Sequence, residues 1–579
     1  MSESILFEKV FSHLERIYNG MSKDQIGCTV SEIIELLELE EKCEDSIISE
    51  KWSEKDVVAI TYADTLRSES EKPLITLKKF FDSYFKGTIN SIHILPFFPY
   101  TSDDGFSVLD YSSVNEALGE WKDVRSISTD YKVMADVVIN HCSARSRWFQ
   151  NFQQQINPGK DFFATALPTD NLSQVVRPRE SELLREVDTP DGKKYVWCTF
   201  SHDQVDFDFK NPKVLKEFIK IMMLYFSYGI KIFRLDAVAF LWKQPGTSCI
   251  NLPQTHEIIR LLRTLCEAKS TEICLITETN VPNRENLSYF GNGNEAHCIY
   301  NFSLPPLLLN TLVTGSSKVL KTWMISMPPA RFGTAYFNFI ASHDGIGLRP
   351  AEGLLSEHEI DHLVQTMTEF GGFTSSRNDK NGRKKYYEIN ISLFDALQGT
   401  MEGLDSYQVD RFVCAHEIMI GLEGIPGIYI HSLIGTKNNH KKVENTGQNR
   451  SINRHQWDYE LLRQKLGDNE SLERHVYEKI KARIELRTSQ LAFHPNATQF
   501  TLHLSDAFFG FWRQSICRSQ NIFCVSNISK NIQTLFLADL NLVNNENYFD
   551  LISGKKIQKE QQTLQINPYQ TIWISNQNN

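Results

Sequence analysis

This chain has no long apolar run and no block of like charge, and its cysteines keep no regular spacing. A helix that crosses a bilayer needs about 20 consecutive apolar residues. None is present, so no membrane span is expected. Residues 1–10 carry Glu3 and Glu8 and lack a basic segment followed by an apolar one, so no secretory leader is expected and the expected location is the cytoplasm. Basic patches are scarce as well. The 61 Lys and Arg are interspersed with 71 Asp and Glu for a net charge of -10, which argues against nucleic acid or an anionic membrane as partner. The 11 cysteines are odd in number, and Cys517 with Cys524 or Cys266 with Cys274 lie too far apart for a CxxC motif. They read as reduced thiols, not as a disulfide or zinc framework. No cluster of oxygen ligands suggests a calcium site, so neither a metal nor an organic cofactor is expected.

What the chain does have is enough apolar sequence for a large core. Of its 579 residues 41% are hydrophobic and 11% aromatic, which suits more than one domain. Residues 1–55 carry helical spacing, as in Ile5, Leu6, Val10, Phe11 and Leu14, and predict an N-terminal helical extension. From Asp56 short apolar runs recur between amphipathic stretches: 57–62, 92–95, 133–139, 232–235, 273–276, 297–300, 336–340 and 425–430. Eight buried strands alternating with helices predict a (β/α)₈ TIM barrel over 56–490, with its active site at the C-terminal ends of the strands. The gaps at about 142–229 and 345–423 are too long for ordinary connections and predict two inserted loop subdomains over that site. Short alternating segments after Leu491 predict a small β domain over 491–579.

Polar residues gather at these strand ends. Phe233-Arg234-Leu235-Asp236 closes the fourth strand and Ile276-Thr277-Glu278 the fifth. Transfer of a glycosyl group with retention needs two carboxyls flanking one bond, roughly 5 to 5.5 Å apart, and neighbouring strand ends supply such a pair. A lone Asp after a strand is more often a helix cap. Arg234 shifts that balance, because a guanidinium on the same strand face holds the carboxylate ionised. Asp136 to His141 closes the third strand and His343-Asp344 the seventh. Two histidines and four carboxyls (Asp136, Asp236, Glu278, Asp344) converging on one barrel face are hard to explain by packing, since buried charge is costly unless paired.

These four segments, in this order, resemble the conserved regions of the α-amylase superfamily, and His93 to Phe106 is similar to the second-strand segment of its sucrose phosphorylase subfamily. The likeness covers nearly the whole chain from Asp56. It implies Asp236 as nucleophile, Glu278 as general acid/base and Asp344 as transition-state stabiliser. It further implies a glucose subsite of His141, His343 and Arg234 closed by Asp104, with Phe200 stacking on the sugar, Gln204 lining the acceptor side and Arg450 on the distal hydroxyls. Without the resemblance, Phe200 reads as core.

A phosphorylase opens its glucosyl-enzyme with inorganic phosphate as co-substrate, so its acceptor pocket should hold cations. Arg349, Lys437 and the run Arg383-Lys384-Lys385 are the candidates, although a basic loop run is commonly just solvated surface. The loops 347–354 and 435–440, with the extra helical residues in front, look closest to the glucosylglycerate phosphorylase branch. Glycerate carries a carboxylate that Arg349 would suit. Sucrose, sucrose 6-phosphate and glucosylglycerol remain open as substrates, hydrolysis or transglucosylation as the reaction, and a non-catalytic amylase-like scaffold as the other class. A monomer or homodimer is expected.

Overall fold

The protein is described by a computed structural model covering residues 3–39, 51–178, 181–378, 384–540, 542–543 and 547–578. Eight parallel strands form the centre: β1 (Val58–Thr61), β2 (Ser91–Ile94), β3 (Lys132–Val137), β4 (Ile230–Leu235), β5 (Cys274–Thr277), β6 (Cys298–Tyr300), β7 (Ala335–Asn338) and β8 (Ile425–Tyr429). They close a barrel in sequence order, β1 pairing with both β2 and β8. Each strand falls on one of the eight apolar runs. Parallel strands are buried on both faces and therefore read as continuous rather than alternating hydrophobic sequence.

Register decides what the barrel presents at its rim. Leu235 of β4 pairs with Thr277 of β5, so the next residue of each strand, Asp236 and Glu278, emerges at the same height on neighbouring strands. Both backbones extend the ladder by one step, Asp236 N donating to Val137 O at 3.1 Å and Glu278 N to Leu235 O at 3.2 Å. The rim positions are thus as fixed as the barrel itself.

The segment after β3 returns antiparallel, His141–Ser143 pairing with Gln204–Asp206, and carries the hairpin Leu184–Thr189/Gly192–Trp197. The segment after β7 forms an antiparallel sheet of Ile346–Gly347, Lys384–Asn390 and Phe373–Asn378 behind the helix Glu357–Glu369. Both lie on the C-terminal side of the barrel strands. Toward the C-terminus a six-stranded sheet covers the barrel. In its strand Asn521–Asn527, Ile522 and Cys524 face the main core while Phe523 and Val525 face a second, smaller one, the period of two expected of a sheet buried on both sides.

Two helices precede the barrel, α1 (Glu3–Ile17) and α2 (Lys23–Leu36). Leu6, Val10, Leu14 and Ile17 repeat every three to four residues and bury one face of α1 against the barrel helix Pro253–Lys269. His13 fixes the contact, bonding Glu257 at 2.7 Å and Thr264 at 3.0 Å. Among the described residues no helix is long and apolar enough to cross a membrane.

Candidate active site

Asp236 is 7% exposed, and its Oδ1 accepts a hydrogen bond from Arg234 Nη1 at 2.8 Å. The same nitrogen binds Asp136, whose other oxygen lies 2.8 Å from His93 Nε2. The Arg234 guanidinium carbon lies over the rings of Phe106 and Tyr300, 5.7 Å and 5.5 Å from their centroids, and is held by cation–π attraction. Burial lowers the proton affinity of His93, so it serves Asp136 as a neutral imidazole.

Glu278 sits 3.9 Å from Arg234 Nη2, and its Oε2 accepts from Ala237 N at 3.1 Å. Ala237 has φ 50, a left-handed conformation that a residue with a Cβ rarely adopts. The turn that stores this strain aims the Ala237 amide at the second carboxyl. Burial raises the proton affinity of both Asp236 and Glu278. The guanidinium touches Asp236 and stands farther from Glu278, so it favours an anion on Asp236 more than one on Glu278.

Asp344, in the loop beyond β7, completes the set of carboxyls. Arg450 Nη1 binds its Oδ1 at 2.5 Å and holds it well below the usual carboxylate range against the penalty of burial. Arg450 is itself clamped by Glu388, with bonds of 2.9 Å and 2.8 Å. His343 is pushed down to about 3 by burial and stacks on Phe106, with ring centroids 5.1 Å apart. His141 lies 5.0 Å from the Phe200 ring and 3.2 Å from Gln204 Nε2. One cleft is lined by Asp236, Glu278, Asp344, His141, His343, Phe200, Gln204, Arg349 and Arg450, with Arg234 buried behind the carboxylates. Among the described residues no three His, Cys, Asp or Glu side chains group as metal ligands would.

Two expected residues lie elsewhere. Asp103, not Asp104, borders the cleft and stands 3.3 Å from Gln204 Nε2. Asp103 and Asp104 both have left-handed φ, 54 and 48, so this turn does not follow strand alternation. Asp104 lines a separate depression with Tyr62 and Tyr100 and pairs with Arg454 at 2.6 Å. Lys437 is exposed on a separate depression with Gly435, Asn438 and Trp457. Its loop is pinned by Asn438 N donating to Asp395 at 2.6 Å, which turns the lysine outward. Lys385 binds Glu357 on the surface at 2.9 Å, while Arg383 lies outside the described residues.

Sequence reasoning missed Glu388, the role of His93, and Asn280, which lines the same cleft. His93 had a signal, since a histidine facing into a barrel beside Asp136 needs a partner. Glu388 had none, because it meets Arg450 from 62 residues away. The fold and these carboxylates define an α-amylase-type barrel enzyme, and the family "Alpha amylase, catalytic domain" matches residues 83–344. The chain is 43% identical to the glucosylglycerate phosphorylase of Spirochaeta thermophila, over 82% of this chain and 80% of that one. It is 38% identical to the glucosylglycerate phosphorylase of Escherichia coli, over 98% and 100%. It therefore belongs to the glucosylglycerate phosphorylase family of the α-amylase superfamily. The crystal structure of sucrose 6F-phosphate phosphorylase from Thermoanaerobacter thermosaccharolyticum shares the fold, with a TM-score of 0.72 at 23% identity over 89% of this chain and 98% of that one.

Proposed function

We propose that this chain cleaves glucosylglycerate with inorganic phosphate to give α-glucose 1-phosphate and glycerate, by double displacement. The observation that carries this reading is Arg349. Its guanidinium lines the cleft that holds Asp236 and Glu278, and among the described residues it has no hydrogen bond or ion pair. Burial and the neighbouring Arg377 disfavour its charge, and the smaller pull of Glu285 and Glu352 does not offset them. An anion would relieve both costs, and glycerate and phosphate are both anions.

In the first step Asp236 attacks the anomeric carbon while Glu278 gives its proton to the departing glycerate oxygen. Glycerate leaves, and phosphate takes its place on Arg349. In the second step a phosphate oxygen attacks the glucosyl ester. Glu278 takes up the proton of the incoming phosphate, Asp236 is released as carboxylate, and two inversions leave the α-configuration. Arg234 keeps the nucleophile charged, and Asp344 with Arg450 holds sugar hydroxyls. Phe200 faces the positive charge that develops on the ring, and His141, His343, Gln204 and Asp103 complete the glucose pocket. A reducing, cytoplasmic location fits the ten described cysteines, all unpaired.

The test is a panel of glucosylglycerate, glucosylglycerol, sucrose and sucrose 6-phosphate, each with phosphate and a glucose 1-phosphate readout. Release is expected from glucosylglycerate first. Free glucose formed at a rate indifferent to phosphate would replace phosphorolysis with hydrolysis.

A further inference from the structure

We infer that Asn280 is a specificity-determining residue of the acceptor side, where its amide receives the free hydroxyl of a small hydroxy acid whose carboxylate lies on Arg349. The inference rests on the phosphorolytic reading above and adds to it the second point of recognition.

Asn280 stands two residues beyond Glu278 on the turn that leaves β5, where Val281 N donates to Thr279 O at 3.0 Å. The side chain lines the same cleft as Glu278 and Arg349. Its Oδ1 is buried with no hydrogen-bond partner, and among the described residues its Nδ2 has none either. Nearly all buried polar groups in folded proteins are bonded, so an orphaned amide in a cleft marks the place of a ligand's polar atoms. Gly347 supports this. A Cβ there would come within 3.0 Å of Asn280 Nδ2 and 3.2 Å of Oδ1, so the amide would have to give by a few tenths of an ångström. Glycine at 347 spares the amide that shift.

The two groups divide the work by chemistry. Arg349 donates only and takes an anion, whereas an amide both donates and accepts and so takes a hydroxyl. Together they select a molecule that carries both a carboxylate and a free hydroxyl, as the glycerate moiety does when its other hydroxyl carries the glucosyl bond. Glycerol offers no carboxylate to Arg349. A site built to bond a substrate hydroxyl discriminates strongly once the bond is lost, because its own polar groups are left unpaired.

The experiment compares wild type, Asn280→Ala and the near-isosteric Asn280→Asp in phosphate, measuring kcat/KM for glucosylglycerate, glucosylglycerol and α-glucosyl fluoride. Fluoride leaves without an acceptor contact and reports donor chemistry and folding. Asn280→Ala is expected to lose at least about tenfold more on glucosylglycerate than on the fluoride. Asn280→Asp brings a carboxylate against glycerate and is expected to shift preference toward glucosylglycerol. Equal losses on all three substrates, or unchanged preference in both variants, would overturn the inference. If the wild type itself releases no glucose 1-phosphate from glucosylglycerate, the functional reading fails, an outcome distinct from unchanged preference in active variants.

Discussion

The two ends of the cleft differ in how their charges are spent. On the glucose side the charged groups have partners: Arg234 holds Asp136 and Asp236, and Arg450 holds Asp344 and Glu388. On the acceptor side Arg349 and Asn280 line the wall with no such partner among the described residues. A paired, buried network costs nothing to reorganise as the reaction proceeds, which suits stabilisation of a fixed oxocarbenium-like state. Unspent donors suit molecules that come and go, one anion leaving and another arriving. On the proposed function, the paired half performs the glucosyl transfer and the unpaired half sets which acceptor it serves.

The largest effect expected breaks the paired half. Asp236→Asn should lower kcat by about 10⁴-fold or more, read as glucose 1-phosphate release, because no nearby group replaces the nucleophile. In the acceptor half, Arg349→Ala should lower kcat/KM for glucosylglycerate by about 10²-fold, while Arg349→Lys retains part of it as a point charge. A similar loss on α-glucosyl fluoride without phosphate would place Arg349 in the donor half instead.

Asp103 and Asp104 sharpen the boundary further. Asp103→Asn should reduce kcat/KM by about 10-fold or more on every glucoside, including the fluoride, because it alters the glucose pocket itself. Asp104→Asn loosens an ion pair whose carboxylate is 45% exposed, and less than about threefold is expected. The smallest effect is a change of shape in the pH profile. Burial raises the Glu278 proton affinity, so the acid form persists above the ordinary carboxylate range and is lost as pH rises through the raised value. kcat/KM for glucosylglycerate should then fall on an alkaline limb, which flattens with the fluoride, whose departure needs no proton. His343, at about 3, is neutral throughout and adds no limb.

How much of this could be read from residues alone follows the same division. The barrel strands were legible because burial on both faces writes them as apolar runs, and Asp236 and Glu278 because strand register projects them directly. Arg234 was legible for the same reason, being one pleat below Asp236. Asp103 was not distinguishable from Asp104, since the turn that holds them abandons the alternation that orients strand residues. Lys437 misled because charge says nothing of direction, and one backbone bond at Asn438 turns its loop outward. Asn280 carried no signal at all: an amide becomes informative only when the structure leaves it without a partner.

The most direct test of the central claim is to follow wild-type enzyme, glucosylglycerate and phosphate by NMR and read the anomeric signal of the first sugar phosphate formed. The account predicts α-glucose 1-phosphate, appearing with glycerate in equal amount and only when phosphate is present. β-Glucose 1-phosphate would contradict the double displacement through Asp236, and free glucose at the same rate without phosphate would contradict an acceptor half built for anions.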